Sequence, residues 1–344
     1  MRFLIIGEDR PWSAETGLAR CLRATGHEAR IWNNKRPRWW LSDRNWWRLG
    51  RGTRSLHDTV ASLELVRTAR RLKPDVLFLP KAENIHSQAV KMAAAATGTR
   101  LITWYPDHPF KADMTSMNIL RNLPAYDIFY IWGRFLLETL HAAGARRPDY
   151  LPFAFDPMTH PDEVDSSADQ LRRFDCEVCF VGTWDRERER DLAPLALFDL
   201  AIWGPGWQEN LPASSPLRSK VRGGALYNED LVRAYQGSRV VFNHLRLHNG
   251  SAHNVRSMEI AGIGGGAQLV RRTPELAREL FTEDEHLLCF ADEDEMLHKV
   301  RQVLNNPRVA QRLSSAARQR VTERHLLSHR VSRIVEDLRN LDAK

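Results

Sequence analysis

Three short runs hold the residue types that could do chemistry. The first is Val178-Cys179-Phe180-Val181-Gly182-Thr183-Trp184-Asp185-Arg186-Glu187-Arg188-Glu189-Arg190, an apolar run, a glycine turn and then alternating arginines and glutamates. A strand that turns at glycine into a helix offers backbone N–H groups and a positive helix end to an anion, and guanidinium adds bidentate bonds. Gly182, Thr183 and Arg188 are the candidates there. The same alternation also suits a solvated helix face laced with i, i+4 pairs. The second run, Ile202-Trp203-Gly204-Pro205-Gly206-Trp207, takes a strand into a tight loop, where Gly204 and Trp207 could pack on a nucleobase. A plain turn with a buried Trp fits equally well. The third, Asn254-Val255-Arg256-Ser257-Met258-Glu259, reads as a short helix capped by Asn254, with Arg256 and Glu259 at i, i+3 on one face. A carboxylate so placed can accept both hydroxyls of a ribose, with the arginine on a phosphate. The bland alternative is a surface ion pair of little weight.

Proton transfer needs other groups. Asp107 and His108, in Trp104-Tyr105-Pro106-Asp107-His108-Pro109, follow an apolar strand, so they stand at the carboxyl end of a sheet. A carboxylate or neutral imidazole there can take a hydroxyl proton, or Asp107 can cap the turn before Pro109. Gly7, after the first strand, shares that end of the sheet. His244 and His248 are further candidates on the second half of the chain. Residues 35–48 hold four of the eleven tryptophans among basic residues, Trp39 and Trp40 included. That segment reads as an aromatic lid over a sugar or base, as a membrane-surface segment, or as a stretch packed back on its own domain. Residues 262–267 fit G-x-G-x-x-A, but they follow a helix and open a strand, the reverse of a dinucleotide fingerprint, so no NAD site is read there. Cys176 and Cys179 form C-x-x-C within a strand, where i and i+3 face opposite ways; free thiols in a cytosolic protein are expected.

Several elements must position these residues. Strands are expected at Arg2–Ile6, Glu28–Trp32, Asp75–Leu79, Arg100–Tyr105 and Asp127–Trp132, with helices at Ser13–Thr25, Arg54–Leu72 and Asn84–Thr97 between them. Pro152–Phe174, with three prolines and a polar run, reads as a connection. A second series has strands at Glu177–Val181, Leu200–Trp203, Val240–Asn243, Ala267–Val270 and Leu287–Phe290. Asn228 is expected to cap one of its helices and Thr273 another ahead of Pro274, and Glu293–Leu341 reads as nearly all helix. The β-α-β-α rhythm gives an α/β protein of two Rossmann-like doubly wound domains facing across a cleft, closed by C-terminal helices. A length of 344 residues agrees with two domains, and 43% hydrophobic against 27% charged residues excludes disorder or a small disulfide scaffold. The N-terminal apolar run is too short for a signal peptide, and Lys91 and Arg100 interrupt the longest apolar stretch. A formal charge of +7 favours anionic partners: nucleotides, phosphorylated substrates, nucleic acid or an anionic membrane.

In order, these motifs resemble the C-terminal domain of CgeB-type glycosyltransferases, the spore-maturation family of the GT-B fold. The matching pieces are Phe180–Trp184 with Arg188, Trp203–Trp207, Val241–Arg246, Asn254–Glu259, Thr273–Leu276 with Phe281, and the helices around His325 and Arg330. The resemblance implies a metal-independent, cytoplasmic glycosyltransferase, possible at the inner membrane face through residues 35–48, moving a sugar from a UDP-, GDP- or TDP-sugar to an unidentified acceptor. Residues 1–152 would form the acceptor-side domain, 153–175 a linker, 176–325 the nucleotide-sugar domain and 326–344 a helix able to cross back. Arg188 would meet the donor phosphates, Glu259 the ribose, with Gly182, Thr183, Gly204, Trp207, Asn254 and Arg256 lining the same pocket. Asp107 and His108 would be catalytic, with Gly7, Trp39, Trp40 and His244 on the acceptor side or in the cleft. Retaining relatives often carry a glutamate eight positions before the ribose-binding one; here Ser251 stands there, so the stereochemical outcome is not carried over. Two other readings fit the same features: a nucleotide-sugar epimerase on this fold, and a non-catalytic module that binds nucleotide or nucleic acid.

Overall fold

The computed structural model describes residues 1–35, 51–96, 98–161, 164 and 172–342. Trp39, Trp40 and most of the Trp/Arg segment lie outside the described residues. The chain divides into two units, Met1–Pro152 with Leu327–Lys344, and Phe153–Leu326.

In the first unit the elements run β1 (Arg2–Ile6), α1 (Ala14–Ala24), β2 (Glu28–Trp32), α2 (Arg51–Leu72), β3 (Val76–Phe78), α3 (Ser87–Ala95), β4 (Arg100–Tyr105), α4 (Met117–Asn122), β5 (Ile128–Ile131), α5 (Leu137–Ala142) and β6 (Pro148–Tyr150). Among the described residues these strands form a six-stranded sheet in the order β2-β1-β3-β4-β5-β6. Every pairing is parallel, as crossover helices require. Ser13 caps α1 by accepting from the Thr16 N–H at 3.2 Å, and Gly26, at φ +80°, ends it. The edge strand β6 has only three residues and begins with proline, which explains why no strand pattern shows there. The C-terminal helix, Leu327–Asp342, belongs to this unit and buries Val331, Ile334, Val335 and Leu338, one stripe of its surface.

The second unit holds β7 (Cys176–Val181), α6 (Arg186–Leu192), β8 (Leu200–Trp203), α7 (Trp207–Asn210), β9 (Val221–Gly223), α8 (Asn228–Gln236), β10 (Ser238–Asn243), α9 (Val255–Ile263), β11 (Ala267–Arg271), β12 (Leu288–Phe290), α10 (Glu293–Asn305) and α11 (Pro307–Arg324). Its sheet runs β12-β11-β10-β7-β8-β9, again all parallel. Read from the other edge, that is the doubly wound order whose direction reverses between β7 and β10. Apolar side chains pack on both faces of this sheet. Phe153–His160, read from sequence as connection, packs within this unit: Phe155 is 8% exposed, and the Phe153 N–H donates to His253 Nε2 at 3.1 Å. His253 in turn bonds Glu275 at 2.8 Å, both fully buried, so the imidazole proton sits on Nδ1.

Two local expectations need correcting. Glu177 and Val178 both donate to the Asp199 carbonyl, at 3.0 and 3.1 Å. Cys176 and Cys179, expected to face opposite ways, pack in the same apolar cluster. Both are free, and burial pushes the Cys176 thiol up to about 12, so neither is a ready nucleophile. Asn228 does not cap α8: it is the first helical residue, at φ +48°, and Tyr227 occupies the cap position without a side-chain bond. Glu293–Leu341 is nearly all helix, as expected, in three helices ending at 305, 324 and 342. Thr273 does cap, its hydroxyl accepting from Leu276 N–H at 3.3 Å. The glycines after α9 serve close packing: at Gly265, φ +109°, a Cβ would stand 2.5 Å from the Tyr235 carbonyl and the Gln236 backbone.

Asp337, 4% exposed on the C-terminal helix, accepts from Tyr130 Oη at 3.0 Å, Arg147 Nη2 at 3.0 Å and Arg333 Nε at 2.8 Å. Asp337→Ala leaves a buried hydroxyl and two guanidiniums short of an acceptor, so urea unfolding should show a loss of roughly 1–3 kcal/mol. An unchanged midpoint would show that these donors find other partners.

Candidate functional site

The loops after β7 and β10, either side of the reversal in strand order, carry most of the charged side chains singled out in the second unit. Glycine makes the first loop possible. At Gly204, φ +150°, a Cβ would lie 2.0 Å from the Gly182 carbonyl oxygen. Trp207 is fully buried and donates its indole N–H to that same oxygen at 2.7 Å. Trp207 thus holds the loop and presents no face to a nucleobase, a correction to one of its two sequence readings.

Asp185, which the sequence reading passed over, caps α6 by accepting from Arg188 N–H at 2.9 Å. The residue type just ahead of the helix was the available signal. Its second oxygen takes Arg246 through Nε at 3.1 Å and Nη2 at 2.8 Å. The end of this seven-residue helix is therefore already occupied by a carboxylate, and the helix-end argument for an anion fails. The cation is a different matter. The Arg188 side chain is 17% exposed; Nη1 donates to the Thr183 carbonyl at 2.6 Å, whereas Nε is buried without a hydrogen-bond partner among the described residues and lies 3.5 Å from the Asp185 carboxylate that Arg246 also holds. Burial, and then the nearby Arg246 charge, push this guanidinium down to about 10, with Arg256 adding to the repulsion. A buried, under-paired arginine among other arginines is stabilised by an anion.

Asn254 caps α9 as expected, accepting from Ser257 N–H at 2.9 Å. Its amide donates to Asn243 Oδ1 at 3.0 Å and the His244 carbonyl at 3.1 Å, tying α9 to the end of β10. Arg256 donates to Glu259 at 2.6 Å and to Tyr235 Oη at 3.0 Å. On its other side, Glu259 faces His160 Nε2 at 3.3 Å. Burial alone would raise the Glu259 carboxyl; Arg256 and His160 outweigh it and hold the group below its ordinary value. His160 carries no sequence signal, since 99 positions separate it from Glu259. His244, 3% exposed at its side chain, bonds Asp191 at 3.1 Å through Nε2 while Nδ1 is buried and unpartnered among the described residues.

In the first unit, Gly7 follows β1 and Asp107 follows β4, with β3 between them. Gly7 is needed because Glu15 packs onto it, 2.2 Å from where a Cβ would be. Asp107 pairs with Lys81 from the loop after β3, and Lys81 also lies 3.8 Å from Glu83. That ion pair replaces the turn-capping role considered for Asp107. His108 accepts from Phe110 N–H at 3.3 Å through Nδ1, and burial pushes its pKa down, so a neutral imidazole is favoured. Among the described residues no three His, Cys, Asp or Glu side chains could together hold a metal ion, and no helix is long and apolar enough to cross a membrane.

Burial also lowers His244 from its usual 6.5 despite Asp191. The native state then binds fewer protons than the unfolded chain, so stability is full above that value and declines as acid is added. Thermal midpoints measured from about pH 7.5 to 5.5 should fall in the wild type and fall less steeply in His244→Gln. Equal slopes would show that folding leaves the His244 pKa where it stands in the unfolded chain.

Residues 185–336 match the family model described as glycosyl transferase-like. Among curated proteins, none matches the chain by sequence. HepE of Anabaena, solved in complex with UDP, superposes with a TM-score of 0.65 at 13% identity, over 99% of this chain and 100% of that one. Sucrose-phosphate synthase from Thermosynechococcus elongatus gives 0.70 at 12% identity, covering all of both chains. A putative UDP-N-acetylglucosamine 2-epimerase from Listeria monocytogenes gives 0.62 at 13%, over 97% of this chain and 94% of that one. These likenesses show the fold: two Rossmann-like α/β units of GT-B type.

Proposed function

We propose that this chain is a glycosyltransferase, of the CgeB type that its motifs resemble, which takes its sugar from a nucleotide-sugar donor bound by the second unit. The observation that carries the reading is Arg188, buried, under-paired and repelled by Arg246 and Arg256, beside the glycine loop of β7. A diphosphate is the anion such a group fits. The match of residues 185–336 to a glycosyl transferase-like model supports the reading, as does the likeness to HepE, which was solved with UDP.

In this reading Arg188 and Arg256 meet the charge that develops on the leaving nucleotide, in place of a cation. Glu259, kept ionised, accepts the ribose hydroxyls. Gly182 and Thr183 supply the loop backbone, Gly204 and Trp207 hold it, and Asn254 fixes the start of α9. Asp107 and His108 of the first unit are the proposed acceptors of the incoming hydroxyl's proton, His108 through its neutral imidazole.

A thermal-shift series with UDP, GDP, ADP, CMP and TDP, each with and without its sugar, tests the donor site. A ligand at 100 times its Kd stabilises by about 2.7 kcal/mol, so one nucleotide should stand out. Arg188→Ala, losing charge-assisted bonds, should weaken that nucleotide roughly tenfold or more, and Glu259→Ala should weaken it through the ribose. No shift with any nucleotide would sink the donor assignment. Asp107→Asn should slow transfer with nucleotide affinity intact; an unaffected rate would leave Asp107 as the partner of Lys81 alone. A product that is an isomeric sugar nucleotide, formed without acceptor, would identify an epimerase instead.

A further inference from the structure

We propose that His160 is a positioning residue for the donor site and sharpens its choice of ribose over deoxyribose; the inference rests on the donor reading above. A carboxylate can only accept, so the contact between Glu259 Oε1 and His160 Nε2 at 3.3 Å requires the imidazole proton on Nε2. Arg256 takes the other oxygen, Oε2, at 2.6 Å. The carboxylate is thus gripped at both oxygens from two different segments, which fixes its plane. Each oxygen has a further lone pair to offer, and two neighbouring hydroxyls are the donors that match a fixed pair of acceptors.

The grip on the His160 side is built with some care. Asp156 closes the turn Pro157–Thr159, its Oδ1 accepting from Met158 N–H at 3.1 Å, while the Thr159 hydroxyl donates to the Asp156 carbonyl at 2.7 Å. That turn delivers His160 flat against Phe155, ring centroids 5.9 Å apart and planes 5° from parallel. Phe155 is itself held on both sides. Its N–H donates to the His325 carbonyl at 2.9 Å, and its ring fills the space over Gly262, where a Cβ would come within 2.4 Å. Gly262 stands one residue short of the end of α9, the helix that carries Glu259. Helix and imidazole are therefore referenced to the same aromatic ring. The His160 side chain is 13% exposed, and its Nδ1 is buried with no hydrogen-bond partner among the described residues, so the ring stack and Glu259 are what hold it.

His160→Phe keeps a ring on Phe155 and removes the donor. Binding of UDP and of its 2′-deoxy analogue, measured by calorimetry for wild type, His160→Phe, His160→Gln and Glu259→Ala, tests the idea. His160→Phe should weaken UDP roughly tenfold, the value of a hydrogen bond to a charged group. The deoxy analogue should lose less, so the preference for UDP shrinks. His160→Gln, which restores an N–H donor, should recover most of the affinity, and His160→Phe should add nothing once Glu259 is Ala. In transfer assays KM for the donor should rise with kcat unchanged. Unaltered UDP affinity in a folded His160→Phe, or losses that simply add to those of Glu259→Ala, would overturn the proposal while the donor site stands. Failure of the wild type to bind UDP, GDP, ADP, CMP or TDP would overturn both.

Discussion

The carbonyl oxygen of Gly182 is the point on which the second unit's site depends. One residue beyond the last strand position of β7, it accepts from the buried Trp207 indole, while the absence of a side chain at Gly204 lets the neighbouring loop close over it. Two backbone bonds lace the same loops together: Gly182 N–H to the Trp203 carbonyl at 2.8 Å and Trp184 N–H to the Pro205 carbonyl at 2.9 Å. Lacing fixes Thr183 between them, and with it the carbonyl that takes Arg188 Nη1. The same loop ends at Asp185, whose carboxylate starts α6 and restrains Arg246. A chain of local bonds, none strong alone, thus converts a turn into a rigid mount for two guanidiniums.

Holding them there is costly. Burying a cation forfeits hydration, and here the compensation is incomplete: Arg188 finds one carbonyl and a carboxylate already shared with Arg246. Places where a fold retains unfavourable electrostatics that packing could have removed are enriched in function. The first unit shows the opposite solution. Asp107 and Lys81 satisfy one another at the carboxyl end of their sheet, half-exposed, where such a pair contributes little to stability.

Long periodic segments were legible in the sequence because burial there depends on local pattern. β1, β2, β4 and β8 fall within their expected limits, and Ser13, Asn254 and Thr273 cap as their types suggest. Short edge strands escaped notice because three residues carry no period, as at Pro148–Tyr150 and Val221–Gly223. At the site, residue type and spacing singled out Arg188, Asn254, Arg256 and Glu259, of which the Asn254 cap and the Arg256–Glu259 pair form as read. Trp207 looked like a ligand contact because an aromatic beside a glycine turn suits both roles, and only its burial separates them. His160 and Asp191 were invisible for a plainer reason: their partners lie 99 and 53 positions away.

The stack of Gly262, Phe155 and His160 has a consequence for how this sequence can drift. A methyl group at 262 would collide with the phenyl ring, so the glycine can be replaced only after position 155 has shrunk. A smaller residue at 155, in turn, removes the surface on which the imidazole lies. Each step passes through an intermediate worse than either end, so the three positions are tied together in ancestry even though more than a hundred residues of chain separate the first pair. Related chains should therefore change all three together or leave all three alone, and a lineage that substitutes Gly262 should hold its carboxylate at 259 by some other means.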